Sequence, residues 1–124
     1  MLVPVRPLSD LAPGDAVRLE PEHTLEPSGP GVAVFRTEDG LHAVDDSCTH
    51  QDTALSDGYL EGCFVECPLH AALFDLRTGV PDGPPARTPV RVHPVVVIDG
   101  MIHVELPEVA ALPAEVADAA EVAA

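Results

Sequence analysis

The chain of 124 residues is interrupted by fourteen prolines and nine glycines. A proline inside a helix removes a backbone donor and clashes with the preceding turn, so this density excludes a fold of long helices. It suits short strands joined by tight turns. Hydrophobic residues make up 46% of the chain, enough for one buried core, and the length fits a single domain. Aromatic residues are only 3%, so that core must be aliphatic.

Short runs rich in β-branched residues predict the strands. Glu38-Asp39-Gly40 reads as the turn of one hairpin, and Asp99-Gly100 turns the chain between two further strands. The segment 20–31 carries three prolines and two glycines and is expected to project as a polar loop. The sequence therefore predicts an all-β fold, with candidate strands at residues 16–19, 32–37, 41–45, 90–93, 95–99 and 101–106.

Residues 46–89 differ in composition from the predicted strands. They hold all three cysteines, two of the six histidines, four glycines and five prolines. We interpret them as a loop-rich subdomain inserted into a domain that spans residues 1–106. The remaining residues, 107–124, form an acidic, alanine-rich tail that is compatible with a short C-terminal helix from about Ala114 or with disorder.

The charge balance constrains the partners. Six arginines and no lysine stand against 21 acidic residues, which gives a net charge of −15. Nucleic acid is excluded as a partner by its own negative charge, whereas a basic protein face is favoured.

No apolar run approaches the roughly 20 residues that cross a membrane, and no secretory signal is recognised, so a cytoplasmic location is expected. The odd number of cysteines argues against a disulfide framework and leaves metal binding open.

Two short clusters carry the chemistry of the chain. Cys48 is followed two positions later by His50, and Cys67 is followed three positions later by His70, with sixteen residues between the clusters. Four potential ligands in two tight groups indicate a metal site. The groups could converge if the segment between them forms a hairpin, with turns at Asp57-Gly58 and Glu61-Gly62. The other histidines are interpreted as structural, with the strand residues His42 and His103 facing solvent; they are His23, His42, His93 and His103.

The mixed composition of each cluster bears on which metal is bound. Structural zinc sites usually place two cysteines in one knuckle and two histidines in the other. A Rieske centre instead binds one iron of a [2Fe–2S] pair through two cysteines and the other through two histidines. One cysteine and one histidine per loop suits the second arrangement, and zinc remains an alternative.

The chain resembles the small Rieske-type [2Fe–2S] ferredoxins of multicomponent aromatic-ring dioxygenases, over nearly all of residues 3–106. The resemblance rests on the two clusters together with Phe74-Asp75 and Thr78-Gly79. It implies the Rieske iron–sulfur fold, an antiparallel β-sandwich or barrel with an inserted cluster-binding subdomain, and one [2Fe–2S] cluster. By the same resemblance the inner iron is held by Cys48 and Cys67, and the outer iron by His50 and His70.

The resemblance also implies a function. The chain would be a soluble, low-potential electron carrier, not an enzyme, and a monomer. It would take single electrons from a flavin-dependent ferredoxin reductase and pass them to a terminal Rieske non-haem iron oxygenase, through transient electrostatic docking. Two alternatives are a small Rieske subunit of another oxidoreductase, such as nitrite reductase, and a zinc-binding interaction module without a redox role.

Departures from respiratory Rieske subunits predict the potential. Thr53 and Leu69 occupy the positions of a disulfide in those subunits, so that clamp cannot form. Ala72 and Phe74 occupy the positions of a serine and a tyrosine that donate hydrogen bonds to cluster sulfur. Because such bonds stabilise the reduced cluster, their loss predicts a potential near the low end of the Rieske range, about −150 mV.

Three further features have structural interpretations. Cys63 is expected to be a small, partly buried thiol in a strand over residues 63–66. Tyr59, Phe64 and Phe74 are expected to pack within the subdomain. By the same resemblance, the proline-bearing segment 81–85 is predicted to cover the cluster, with a plain connector as the alternative.

Overall fold

The computed structural model describes residues 1–24, 26, 29–48, 53–68, 72–83 and 88–106. Within them the regular structure consists of β-strands and short 3₁₀ turns, which confirms the all-β prediction. The strands are β1 (Leu2–Pro7), β2 (Ala16–Leu19), β3 (Val32–Thr37), β4 (Gly40–Asp45), β5 (Tyr59–Glu61), β6 (Phe64–Glu66), β7 (Leu73–Asp75), β8 (Val92–His93), β9 (Val95–Ile98) and β10 (Met101–Glu105). None of the described helices has the length and hydropathy needed to span a bilayer. The tail 107–124, with its predicted helix, lies outside the described residues.

The strands form three antiparallel sheets. The first has the order β1-β10-β9, the second β2-β3-β4-β8, and the third, called the small sheet from here on, β5-β6-β7. The small sheet lies within the stretch 46–89, and the other two contain the remaining described strands. The predicted antiparallel scaffold with an insertion is therefore observed.

Strand β3 lies between two hydrophobic cores. Val32 and Val34 pack with Ile102 and Val104 of the first sheet, in one core. On the opposite face of the same strand, Ala33 and Phe35 pack with residues of the small sheet, in the second core. Side chains alternate between the two faces of a strand, and an almost uninterrupted apolar run is what a strand buried on both faces requires.

Two expectations about the scaffold need correction. Strand β8 is limited to Val92–His93, because the Val90 N–H donates to the Gly79 carbonyl oxygen (2.8 Å) and Val90 is buried beside the small sheet. The described part of the segment 20–31, which is residues 20–24, 26 and 29–31, is tied to the body and does not project from it as a free loop. Glu26 forms an ion pair with Arg91, and the Gly31 carbonyl accepts a hydrogen bond from the backbone of Asp46 (3.0 Å).

Candidate metal centre

The structure places the two predicted cysteine ligands in one core. Cys48 follows β4 and is 3% exposed, and Cys67 follows β6 and is 1% exposed. Both thiols belong to the cluster of buried side chains that includes Leu55, Val65 and Phe74. Two residues separated by nineteen positions are thus brought to the same apolar region.

Each cysteine begins a loop that is closed by its own backbone. The Cys48 N–H donates to the Thr53 carbonyl oxygen (2.9 Å), and the Cys67 N–H donates to the Ala72 carbonyl oxygen (2.7 Å). Both bonds join a residue to the fifth residue after it, so the two loops have the same length. His50 lies within the first loop and His70 within the second by sequence. Both imidazoles lie outside the described residues, and their role as ligands stays a prediction.

A hairpin joins the two loops, as the sequence predicts. Strands β5 and β6 pair in antiparallel register, with Tyr59 opposite Glu66 and Leu60 opposite Val65. Gly62 turns the chain between them with φ of +63°, a conformation that glycine adopts without strain. Cys63 lies in this turn, one residue before the strand, and not inside it; it is half-buried as expected.

The donor set fits a metal centre. A thiolate buried among apolar side chains is costly unless a cation compensates its charge, and coordination to a metal supplies that compensation. Here two thiols share such a region and belong to loops of equal length. Thiolate and imidazole donors together suit either zinc or a [2Fe–2S] cluster.

A buried carboxylate that the sequence analysis did not single out fixes the first loop. The side chain of Asp46, two residues before Cys48, is fully buried. It accepts hydrogen bonds from the Ser56 N–H (2.7 Å) and hydroxyl (2.6 Å), and it pairs with Arg18 of β2. The entry and exit of the loop are thereby tied to the scaffold. An aspartate next to a predicted ligand was the available signal in the sequence.

The segment after the second loop is held by a tight turn. The Gly79 N–H donates to the Asp75 carbonyl oxygen (2.6 Å), and the Arg77 guanidinium binds the Asp75 carboxylate (3.0 Å). The hydrogen bond from Arg77 lowers the pKa of Asp75. This turn contains the Phe74-Asp75 and Thr78-Gly79 motifs.

The proline-bearing segment begins beside this turn. Pro81 bridges to Phe74, and the Asp82 N–H donates to the Leu73 carbonyl oxygen (2.7 Å), so the start of the segment is fixed to β7. Pro84 and Pro85 lie outside the described residues, and the predicted covering of the cluster is not tested.

Two predictions about other side chains are wrong, and one holds. His42 does not face solvent: it is half-buried, and its Nε2 is enclosed without a hydrogen-bond partner among the described residues. Tyr59 does not pack within the subdomain, since it is 64% exposed on the edge strand β5. The structural interpretation of His93 agrees with its burial and with its Nε2 lying 2.8 Å from the Asp45 carboxylate.

Comparisons with known proteins agree with this geometry. Residues 1–94 match the family described as "Rieske [2Fe-2S] domain". The ferredoxin subunit of anthranilate 1,2-dioxygenase from Burkholderia cepacia is 48% identical over 75 residues, 60% of this chain and 69% of that protein. The ferredoxin subunit of 3-phenylpropionate/cinnamic acid dioxygenase from Escherichia coli K12 is 39% identical over 103 residues, 82% of this chain and 91% of that protein.

Solved structures have the same fold. The ferredoxin in a complex of reduced oxygenase and oxidized ferredoxin in carbazole 1,9a-dioxygenase superposes with a TM-score of 0.75 at 33% identity, covering 86% of this chain and 97% of that one. A putative NADH-dependent nitrite reductase small subunit from Mycobacterium tuberculosis superposes with a TM-score of 0.72 at 27% identity, covering 86% and 96%. Both kinds of protein proposed from the sequence therefore share this architecture.

Proposed function

The chain belongs to the Rieske [2Fe–2S] domain family, and from that premise we propose that it takes single electrons from a flavin-dependent ferredoxin reductase and passes them to a terminal Rieske non-haem iron oxygenase. It carries one Rieske-type cluster and is an electron-transfer component. The observation that carries the proposal is its 39% identity to a dioxygenase ferredoxin subunit over 91% of that subunit. The proposal includes a monomeric state and no reaction of its own.

We propose that Cys48 and Cys67 hold the inner iron and that His50 and His70 hold the outer iron. The burial of both thiols in one core and the equal closure of their loops support this assignment. When bound, the cluster supplies a site that accepts and releases one electron. The described apolar residues around the thiols exclude water. Asp46 fixes the first loop through its contacts with Arg18 and Ser56, and the Ala72 carbonyl fixes the second loop by accepting a hydrogen bond from the Cys67 N–H.

A cytoplasmic location is part of the proposal. The chain has three cysteines, an odd number, and two of them are the proposed cluster ligands. Thiols persist in a reducing compartment, and metal-binding cysteines are typical there.

Adding a hydrogen-bond donor near the cluster is expected to raise its midpoint potential. Ala72 and Phe74 are 1% and 0% exposed, and neither side chain can donate. A hydrogen bond to a charged group is worth about 1 to 2 kcal/mol more than one to a neutral group, which corresponds to about 40–90 mV for one electron. We expect this increase in Phe74→Tyr, and a smaller one in Ala72→Ser, by redox titration. A variant that keeps its cluster at an unchanged midpoint would contradict the explanation, as would a parent midpoint well above zero.

Electron transfer to the partner is expected to slow as salt rises. The net charge of −15 attracts a basic docking face over long range, and salt screens that attraction. We expect the second-order rate to fall by about tenfold between low and high ionic strength. The measurement mixes the reduced protein with any Rieske non-haem iron oxygenase that is encoded beside its gene and follows reoxidation by stopped-flow absorbance. No electron transfer at any salt would refute the proposed function, and a salt-independent rate would refute steering by charge.

A role as the small subunit of a nitrite reductase is the second candidate. It is favoured by the structural likeness at a TM-score of 0.72 and disfavoured by the lower identity of 27%. Reoxidation of the reduced protein by a nitrite reductase large subunit, and not by an oxygenase, would select it. The zinc-binding alternative is not supported by the family match.

A further inference from the structure

The two faces of the small sheet have opposite surroundings. Its middle row of paired residues, Leu60, Val65 and Phe74, lies against the core that contains both cysteines. Paired residues of an antiparallel sheet share a face, and the rows on either side of this one point the other way. Among the described elements, the strands of the small sheet are in extensive contact only with one another.

The outer face alternates apolar and acidic side chains. One row consists of Tyr59, Glu66 and Leu73, and the next consists of Glu61, Phe64 and Asp75. Apolar groups therefore have carboxylates as neighbours in both directions. Tyr59 and Glu61 are exposed, and the other members are partly exposed. Because Asp75 is paired with Arg77, the less compensated charges of the face are Glu61 and Glu66.

This face is continuous with the second ligand loop. Glu66 directly precedes Cys67, and Leu73 directly follows Ala72, which closes the loop. The row that contains Tyr59 is therefore the row that borders the loop. A protein docked on this row would lie next to a proposed iron ligand.

The exposure of Tyr59 points to a protein partner. Tyr59 is 64% exposed and leaves a large apolar area in water, although strand β5 also has an inward position, Leu60, whose side chain packs partly buried against the core. Tyrosine is enriched among the residues that contribute most to binding at protein interfaces, where surrounding polar groups exclude water. Carboxylates around such a ring require a partner of opposite charge.

We propose that the outer face of the small sheet is a docking surface for a redox protein whose own face carries lysine or arginine around an apolar pocket. Tyr59 fills the pocket, and Glu61 and Glu66 meet the cations. This inference rests on the proposed function as an electron carrier and adds where the partner binds. It places two of the 21 acidic residues of the chain, Glu61 and Glu66, on the side of the small sheet that borders the second ligand loop.

The test uses cytochrome c, a small basic haem protein, as the probe. The reduced holoprotein is mixed with oxidised cytochrome c at low salt, and the second-order rate is measured. We expect Tyr59→Ala to slow the reaction about tenfold and Tyr59→Phe to stay within about twofold, since the ring fills the pocket. Glu61→Gln and Glu66→Gln should each slow it about two- to threefold. Asp99→Asn, which removes a charge from the turn between β9 and β10, should leave the rate unchanged.

A second readout locates the contact directly. Carbodiimide joins carboxylates to contacting lysines, and mass spectrometry of the product should find Glu61 and Glu66 joined to cytochrome c in preference to Asp99. All variants should keep the parent absorption spectrum, because none removes a proposed ligand, and the Tyr59 variants should also keep the parent midpoint potential. An unchanged rate in Tyr59→Ala, or an equal loss in Asp99→Asn and Glu61→Gln, would overturn the proposal. Failure of the parent protein to reduce an oxygenase while these results hold would refute the proposed function alone.

Discussion

A Cys67→Ala variant is expected to be isolated without its cluster. Cys67 is 1% exposed at the start of a closed loop. No other described residue of that loop is a cysteine that could take its place. On the proposed ligand assignment, removing one thiolate would leave the inner iron one ligand short, in a buried region where water cannot replace it. We expect iron and acid-labile sulfide to fall from about two of each per chain to less than a tenth of that.

Quantification of iron and sulfide, with EPR of the dithionite-reduced protein, measures this loss. Cys48→Ala should behave in the same way, and Cys63→Ala is the matched control. Because Cys63 is half-buried in the turn between β5 and β6, its variant should keep colour, iron and EPR signal. Full cluster content in Cys67→Ala, or its loss in Cys63→Ala, would refute the ligand assignment. His50→Ala and His70→Ala extend the test to the outer iron.

A Gly79→Ala variant is expected to be strongly destabilised. Gly79 has φ of +81°, and a Cβ added there would lie 2.0 Å from the Val90 carbonyl oxygen. Val90 is hydrogen-bonded to Gly79 and buried in the core of the small sheet, so its backbone cannot retreat without breaking that contact. A strained φ together with overpacking costs about 3 kcal/mol or more, a large part of the 5–15 kcal/mol typical of a domain.

Gly62→Ala separates the clash from the backbone strain. Gly62 also has a positive φ, of +63°, but a Cβ there would meet nothing within 4 Å. We expect it to cost about 1 kcal/mol in urea unfolding followed by circular dichroism. Equal losses in the two variants would show that the contact with Val90 does not determine the stability of this turn.

The scaffold could be predicted because its pattern is local. The β-branched runs and the glycine turns of 32–45 and 95–105 specify strands and hairpins without reference to the rest of the chain. Strand ends were less predictable: β8 is short because Val90 contacts Gly79, which is distant in sequence. The ion pair between Glu26 and Arg91 ties Glu26 to the scaffold, and it is also a contact between residues distant in sequence.

The meeting of Cys48 and Cys67 in one core could be predicted from residue type and spacing, since a cysteine and a histidine in each loop is a distinctive pattern, and the ligand role of His50 and His70 stays a prediction. What surrounds the site could not be predicted. The contacts of Asp46 with Arg18 and Ser56, and the exposure of Tyr59, depend on which face of a sheet each residue occupies. An exposed aromatic and a packed one cannot be distinguished in a three-residue strand by composition alone.

Because β3 is buried on both faces, the core that contains Cys48 and Cys67 depends on the same strand as the core of the scaffold sheets. Strand β3 contributes side chains to two hydrophobic cores. An insertion or register slip in β3 would therefore exchange the residues that face each core. The part of the chain proposed to hold the cluster could therefore not be moved to another protein framework, or lost by recombination, without β3. Substitutions on the outer surfaces, away from the ligand loops, are then the ones that can change the partner of a carrier while its interior stays the same.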